Sequence, residues 1–179
     1  FTHDPDVRVM VATDAAGVYQ ADFRGIYDIR PGNQIEVSHR NEDGHTVYIR
    51  FYAGPKLYAQ LHSYYAWGYS VAANAPLTLT LSSGATVKER SLTQSDSSNY
   101  FSAYFYDATG QRAIIEGGDT LAADFGNGRV VTMTATAMTA NVNADADTLA
   151  GTGPANTLLG VSVGNFNATI MTDAAGKWQ

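Results

Sequence analysis

The side chains able to do chemistry are few and scattered. Four histidines occur, His3, His39, His45 and His62. None sits in a compact metal-ligand motif. His39 and His45 flank one hairpin signal, where a transition-metal pair would need them to meet; the reading adopted is solvated or hydrogen-bonded imidazoles. Asp4 and Asp6 lie near the start, and Asn141, Asn143, Asp145 and Asp147 alternate further on. Calcium needs several convergent oxygens, and Asn143, Asp145 and Asp147 are the candidate set. The segment lacks the spacing and terminal glutamate of an EF-hand loop, so a solvated acidic edge is the expectation and no cofactor is required. Glu116, Asp119 and Asp124 invite a paired-carboxylate reading, but nothing in the pattern places two carboxyls across a cleft. The serines lack a nucleophile elbow, and no phosphate-cradling loop appears. Asn167-Ala168-Thr169 matches a glycosylation acceptor, set on an expected strand.

The most concentrated group is aromatic: Tyr58, Tyr64, Tyr65, Trp67 and Tyr69. Aromatic platforms with polar neighbours bind sugars. The same residues also suit packing at a sandwich end or against a neighbouring domain, because Tyr and Trp join a large apolar area to a polar tip. The structural role is the expectation, with sugar binding as the alternative.

The composition narrows the setting. The 179 residues are 45% hydrophobic and carry a net charge of -6, with Lys and Arg totalling only 11. That length supports one or two cores. The charge gives no general attraction to nucleic acid. No stretch is long and apolar enough for a membrane helix. Cysteine is absent, which removes disulfides, thiol nucleophiles and zinc–thiolate sites. The opening FTHDPDV has neither the basic segment nor the apolar run of a signal peptide, as expected of a mature form or an excised piece. Low Lys and Thr/Asn/Gly-rich strands lean toward a bacterial or archaeal exterior.

The elements that must position these residues read as repeated strands. Val7 to Phe23, Glu89 to Phe105 and Phe166 to Gln179 are alike. Thr13-Asp14-Ala15-Ala16-Gly17 and Thr172-Asp173-Ala174-Ala175-Gly176 are identical, and Ser95 to Asn99 is the middle copy. Pro31-Gly32-Asn33-Gln34-Ile35 matches Gly117-Gly118-Asp119-Thr120-Leu121. Ala66-Trp67-Gly68 matches Leu149-Ala150-Gly151, and Leu77 to Leu81 roughly matches Leu158 to Val163. A period near 80 suits a domain array. Period-two alternation predicts half-buried strands at Val7–Val11, Tyr19–Phe23, Phe101–Phe105, Leu57–Leu61 and Leu77–Leu81. Ile35, Val37, Val47, Ile49 and Phe51 form the expected inner row of a hairpin. Little or no helix is expected.

About seven strands per period fit an antiparallel sandwich. With linkers near Ala53-Gly54-Pro55 and Ala137 to Ala140, residues 55–137 form one complete unit. Residues 1–54 then hold later strands of another, and 138–179 hold early strands. An alternative phase sets units at about 1–83 and 84–164. A half-sandwich exposes an apolar face and free edges, so the end pieces are expected to pair with each other, with another chain or with neighbouring units.

The order strand, Thr-Asp-Ala-Ala-Gly, aromatic strand, Pro-Gly-Asn-Gln-Ile, Asn-Glu-Asp-Gly hairpin resembles bacterial immunoglobulin-like repeats. Gly17-Val18-Tyr19, Asn99-Tyr100-Phe101 and Gly176-Lys177-Trp178 carry its first part, Gly32-Asn33 and Gly118-Asp119 its second. Such repeats build surface adhesins, stalks and accessory regions of secreted enzymes. The resemblance therefore implies an all-β fold of tandem immunoglobulin-like units and a non-enzymatic spacer, stalk or assembly module. An adhesin, a carbohydrate-binding module or an accessory module of a secreted hydrolase is the alternative. Neighbouring units, identical chains, or cell-surface glycans and proteins are the partners it suggests.

Overall fold

The computed structural model describes residues 7–126 and 128–179. The fold is all-β and antiparallel, with no helix among the described residues. His3, Asp4 and Asp6 lie outside the described residues.

The chain forms β1 (Gln34–Arg40), β2 (Thr46–Tyr52), β3 (Lys56–Ala59), β4 (Tyr65–Tyr69), β5 (Pro76–Ser83), β6 (Thr86–Gln94) and β7 (Tyr100–Tyr104). It continues through β8 (Thr120–Asp124), β9 (Val130–Thr134), β10 (Thr139–Asn143), β11 (Thr148–Thr152), β12 (Leu158–Val163), β13 (Phe166–Met171) and β14 (Lys177–Trp178).

Two sheets make the central body, in the orders β3-β4-β7 and β6-β5-β8-β9. Alternation decides their inner faces. Leu77, Leu79 and Leu81 of β5, Phe101 and Ala103 of β7, and Leu121 and Ala123 of β8 are buried in one cluster with Ala66, Phe105, Ile115, Phe125 and Ala135. Each fully buried Leu or Phe contributes on the order of 2 kcal/mol. The Thr93 hydroxyl of β6 donates to the Ser102 carbonyl of β7 at 2.8 Å, tying one sheet to the other. Leu57 and Ala59 form β3 as expected, but Leu61 lies in the turn that follows, half-buried against the core.

The remaining strands lie outside this core. β1 and β2 form an isolated hairpin, β12 and β13 another, and β10-β11-β14 a small sheet. The expected hairpin row does share a face, since Ile35 pairs with Phe51 and Val37 with Ile49. That face is uncovered: Val47 is 73% exposed and Ile49 59%.

The flanks of the first Thr-Asp-Ala-Ala-Gly turn differ from expectation. Val7–Val11 and Tyr19–Phe23 form no strands, and Met10 is 98% exposed. A strand is a paired state, and no partner edge among the described residues reaches them. The turn itself forms. Asp14 Oδ1 accepts from the Ala16 and Val18 amides, both at 2.9 Å. Asp96 accepts from Ser98 and Tyr100, and Asp173 from Ala175 and Lys177. Gly17, Asn99 and Gly176 close these turns at φ of 77°, 68° and 77°. Asparagine is among the few side-chain-bearing residues that enter this left-handed region readily, which explains Asn99 where the other turns carry glycine. Asp107 builds a fourth turn of this kind with Thr109, Gly110 and Gln111.

Further backbone bonds recur. Gly32 and Ala53 exchange with Ala53 and Asn33 as Gly118 and Ala135 do with Ala135 and Asp119. Ser70 donates to Asn99, and Gly153 to Gly176. Ser95 exchanges bonds with Ala75 as Thr172 does with Thr157. These bonds align Leu77, Leu79 and Leu81 with Leu159, Val161 and Val163.

The chain enters the central body at Lys56, beside Tyr69. It leaves at Thr134, opposite Thr120, which in turn faces Ser82. Entry and exit therefore lie at opposite ends of the strands.

Candidate functional site

The aromatic group lies on the outer face of β3-β4-β7. In β4, Tyr65, Trp67 and Tyr69 point outward while Ala66 and Gly68 are buried. β7 alternates likewise, with Phe101 and Ala103 inward. Register places Tyr58 opposite Trp67, Tyr65 opposite Tyr104 and Tyr69 opposite Tyr100.

All five expected residues therefore join one band. Tyr58 stacks on Trp67 with centroids 5.5 Å apart and planes 11° off parallel. Tyr65 stacks on Trp67 at 5.2 Å and 18°. Tyr58 meets Tyr69 edge-on at 6.3 Å. Tyr64 leans on Tyr104 and Tyr106. The band also includes Tyr52, stacked on Tyr69 at 4.2 Å, and Tyr100 beyond it. Tyr100, Tyr104 and Tyr106 carried a readable signal. They are the outward complement of the inward row Phe101, Ala103 and Phe105. Tyr52 gave none, because its ring reaches the band from the preceding hairpin.

Near-parallel rings this close cannot lie side by side in one plane, because their edges would overlap. They overlap face to face with an offset, a favoured aromatic geometry. Much of the ring surface is thus already covered by other rings. Cations close two further faces: Lys56 Nζ sits 5.1 Å from the Tyr58 ring centre, and the Arg112 guanidinium 4.5 Å from that of Tyr64. The Tyr65 and Tyr100 hydroxyls hydrogen-bond at 2.7 Å. Burial, then the Tyr65 hydroxyl and neighbouring phenols, push the Tyr100 hydroxyl up to about 12. Burial raises Tyr69 likewise, with Tyr52 and Tyr58 adding to it. Tyr104 and Tyr106 keep about half their surface exposed.

The aligned positions of β10-β11-β14 form a natural comparison. Where the central sheet has Tyr58, Tyr65, Trp67, Tyr69 and Tyr100, the other has Asn141, Thr148, Ala150, Thr152 and Lys177. The inward glycine persists. A Cβ on Gly68 would lie 2.0 Å from the Lys56 carbonyl oxygen and 2.7 Å from the Phe101 ring. On Gly151 it would lie 1.9 Å from the Thr139 oxygen and 2.7 Å from Trp178.

The other candidate residues lie apart from this band. Asn143 Oδ1 accepts from the Asp145 and Ala146 amides at 3.1 and 3.2 Å, shaping the β10–β11 turn, where Asp147 takes φ +50°. Asp145 and Asp147 thus sit in a turn rather than along a strand. Among the described residues, no three His, Asp or Glu side chains converge as a metal site. His39 faces Val47 across the hairpin, while His45 lies in its turn. His62 pairs with exposed Glu116 at 3.1 Å. Asp124 accepts from the Gly126 amide.

Asp119 is buried and receives Lys88 Nζ at 2.8 Å and the Glu116 amide at 2.9 Å. Burial alone would raise its carboxyl. The Lys88 bond and charge, the Glu116 amide and the Ser83 hydroxyl outweigh that and hold it below the ordinary value. Each of these three carboxylates thus has its own partner: His62 for Glu116, Lys88 for Asp119 and the Gly126 amide for Asp124. Two open clefts of about 640 and 740 Å³ border Ala21–Ile29 and the β10-β11-β14 sheet, away from the aromatic band. No protein-family model, curated protein or solved structure matches this chain.

Proposed function

We propose that the chain is a non-catalytic spacer, stalk or assembly module of a secreted or cell-surface protein, built from immunoglobulin-like sandwich units. One observation carries this reading. The order β3-β4-β7 with hairpin β5–β6 recurs as β10-β11-β14 with hairpin β12–β13, with matching backbone bonds. The β1–β2 hairpin has the same entry bonds as β8–β9. On this reading residues 55–137 form the complete unit, 1–54 bring later strands and 138–179 early ones. Backbone architecture recurs while outward side chains change, the behaviour of a scaffold repeated for length. Linkers at opposite ends of the central strands suit serial connection.

Small-angle scattering at low concentration tests this. A compact 179-residue particle has a radius of gyration near 16 Å. A serial module is expected well above that value, and a compact value would sink the reading.

A second reading follows from the side-chain comparison. Aligned positions 141, 148, 150, 152 and 177 build the same strands without an aromatic face, so the fold does not require the band. That favours carbohydrate binding through the exposed parts of Tyr58, Tyr64, Tyr65, Trp67 and Tyr69. Glycan binding abolished by Trp67→Ala, with unchanged thermal unfolding, would establish it; no binding across a broad panel would discard it.

A further inference from the structure

The two incomplete strand sets have complementary edges. In the central body, β5 pairs with β6 on one side and β8 on the other. Among the described residues its counterpart β12 pairs only with β13, and β1, the counterpart of β8, only with β2. We infer that β1 of a second copy of this chain pairs with the free edge of β12, in the register that β8 adopts on β5. This inference rests on the repeated-unit reading above.

The register follows from the central body. Leu79 faces Ala123 and Leu81 faces Leu121. By the aligned backbone bonds, Val161 then faces Val37 and Val163 faces Ile35. Side-chain size is compensated: a large–small pair becomes two valines, and Leu–Leu becomes Val–Ile. The apolar rows fit as well. Leu159 and Val161 are only half-buried and Val163 is 60% exposed, whereas Leu77, Leu79 and Leu81 are fully enclosed. The open Val47 and Ile49 face would become an inner face.

An orphaned donor points the same way. Trp178 is 8% exposed, yet its Nε1 has no hydrogen-bond partner among the described residues. It occupies the place of Phe101, which packs edge-on against Phe125 at 5.9 Å. The counterpart of Phe125 on β1 is His39. The apolar Phe101–Phe125 pair is thus replaced across the joint by an indole N–H donor and an imidazole acceptor.

Closure within one chain is opposed by geometry. β1–β2 joins the central body at its Lys56 end, where Asn99 donates to the Tyr52 carbonyl. The strands leading to β12 leave from the Thr134 end, where Gly117 abuts Ala137. A joint between copies is therefore head-to-tail, and it either propagates or closes on a ring.

Two variants of the full chain test this, each placing a lysine on one edge only. Wild type is expected to associate with rising concentration in sedimentation velocity. Val37→Lys and Val161→Lys should each remain monomeric. An equimolar mixture should form a heterodimer and stop there, because one donor edge and one acceptor edge survive. Val37→Cys mixed with Val161→Cys should form an intermolecular disulfide, in a chain with no other cysteine. A monomeric wild type, continued assembly of either lysine variant alone, or a mixture that stays monomeric overturns the proposal. If amide exchange of that monomer still protects β3 to β9 and β10 to β13, only the strand completion fails. Loss of protection in those strands would overturn the repeated-unit reading too.

Discussion

Tyr100 illustrates how one side chain couples the band to the rest of the fold. Its hydroxyl is held neutral by burial and by the Tyr65 hydroxyl, up to about 12. An unfolded tyrosine ionises near pH 10. The folded state therefore retains a proton that the unfolded state has lost between those values. The stabilisation is complete below about pH 10 and disappears as pH rises toward 12. Denaturant titrations at successive alkaline pH values should show that decline, and Tyr100→Phe should flatten it. At this scale the sequence was only partly legible. The Tyr58–Tyr69 group was visible as a cluster, but its stacking depended on cross-strand register. The Asp107 turn has a sequence signal of its own, since Asp-Ala-Thr-Gly echoes Asp-Ala-Ala-Gly.

Element packing places a sharper demand on Gly68. β3 and β7 flank β4 so closely that a methyl there meets the Lys56 carbonyl oxygen and the Phe101 ring. A backbone atom cannot turn aside as a side chain can. Gly68→Ala should destabilise the central body by about 3 kcal/mol, read from chemical unfolding. Gly151→Ala is as crowded locally but lies outside that core, so it should leave the same transition unchanged. The strands that were legible in the sequence, Leu77 to Leu81 and Phe101 to Phe105, carry their alternation into a covered core. Val7–Val11 alternates as well but pairs with no strand among the described residues. Periodicity records which face a strand would bury, not whether a partner edge exists.

Across the whole molecule, burial is unevenly distributed. The enclosed apolar cluster spans Ala66 to Ala135, while the first and last strand sets keep open faces. Limited proteolysis should therefore cut within residues 7–33 first and leave a resistant fragment spanning 56–135. Initial cleavage between β5 and β8 would contradict this. The boundaries expected near Ala53 and Ala137 rest on the glycine, proline and small residues that interrupt the alternation there. The sequence could not show that these boundaries lie at opposite ends of the central strands, since that depends on how seven strands divide between two sheets.

That placement has a mechanical consequence. β3 and β9 begin at the same end, belong to different sheets, and lie next to the entry and exit of the chain. Tension applied to the chain on either side of the central body would pull the start of β3 one way and the finish of β9 the other. Both are hydrogen-bonded to their neighbours roughly at right angles to that pull. Each row of bonds is then loaded together in shear, like a lap joint, instead of parting rung by rung like a zip.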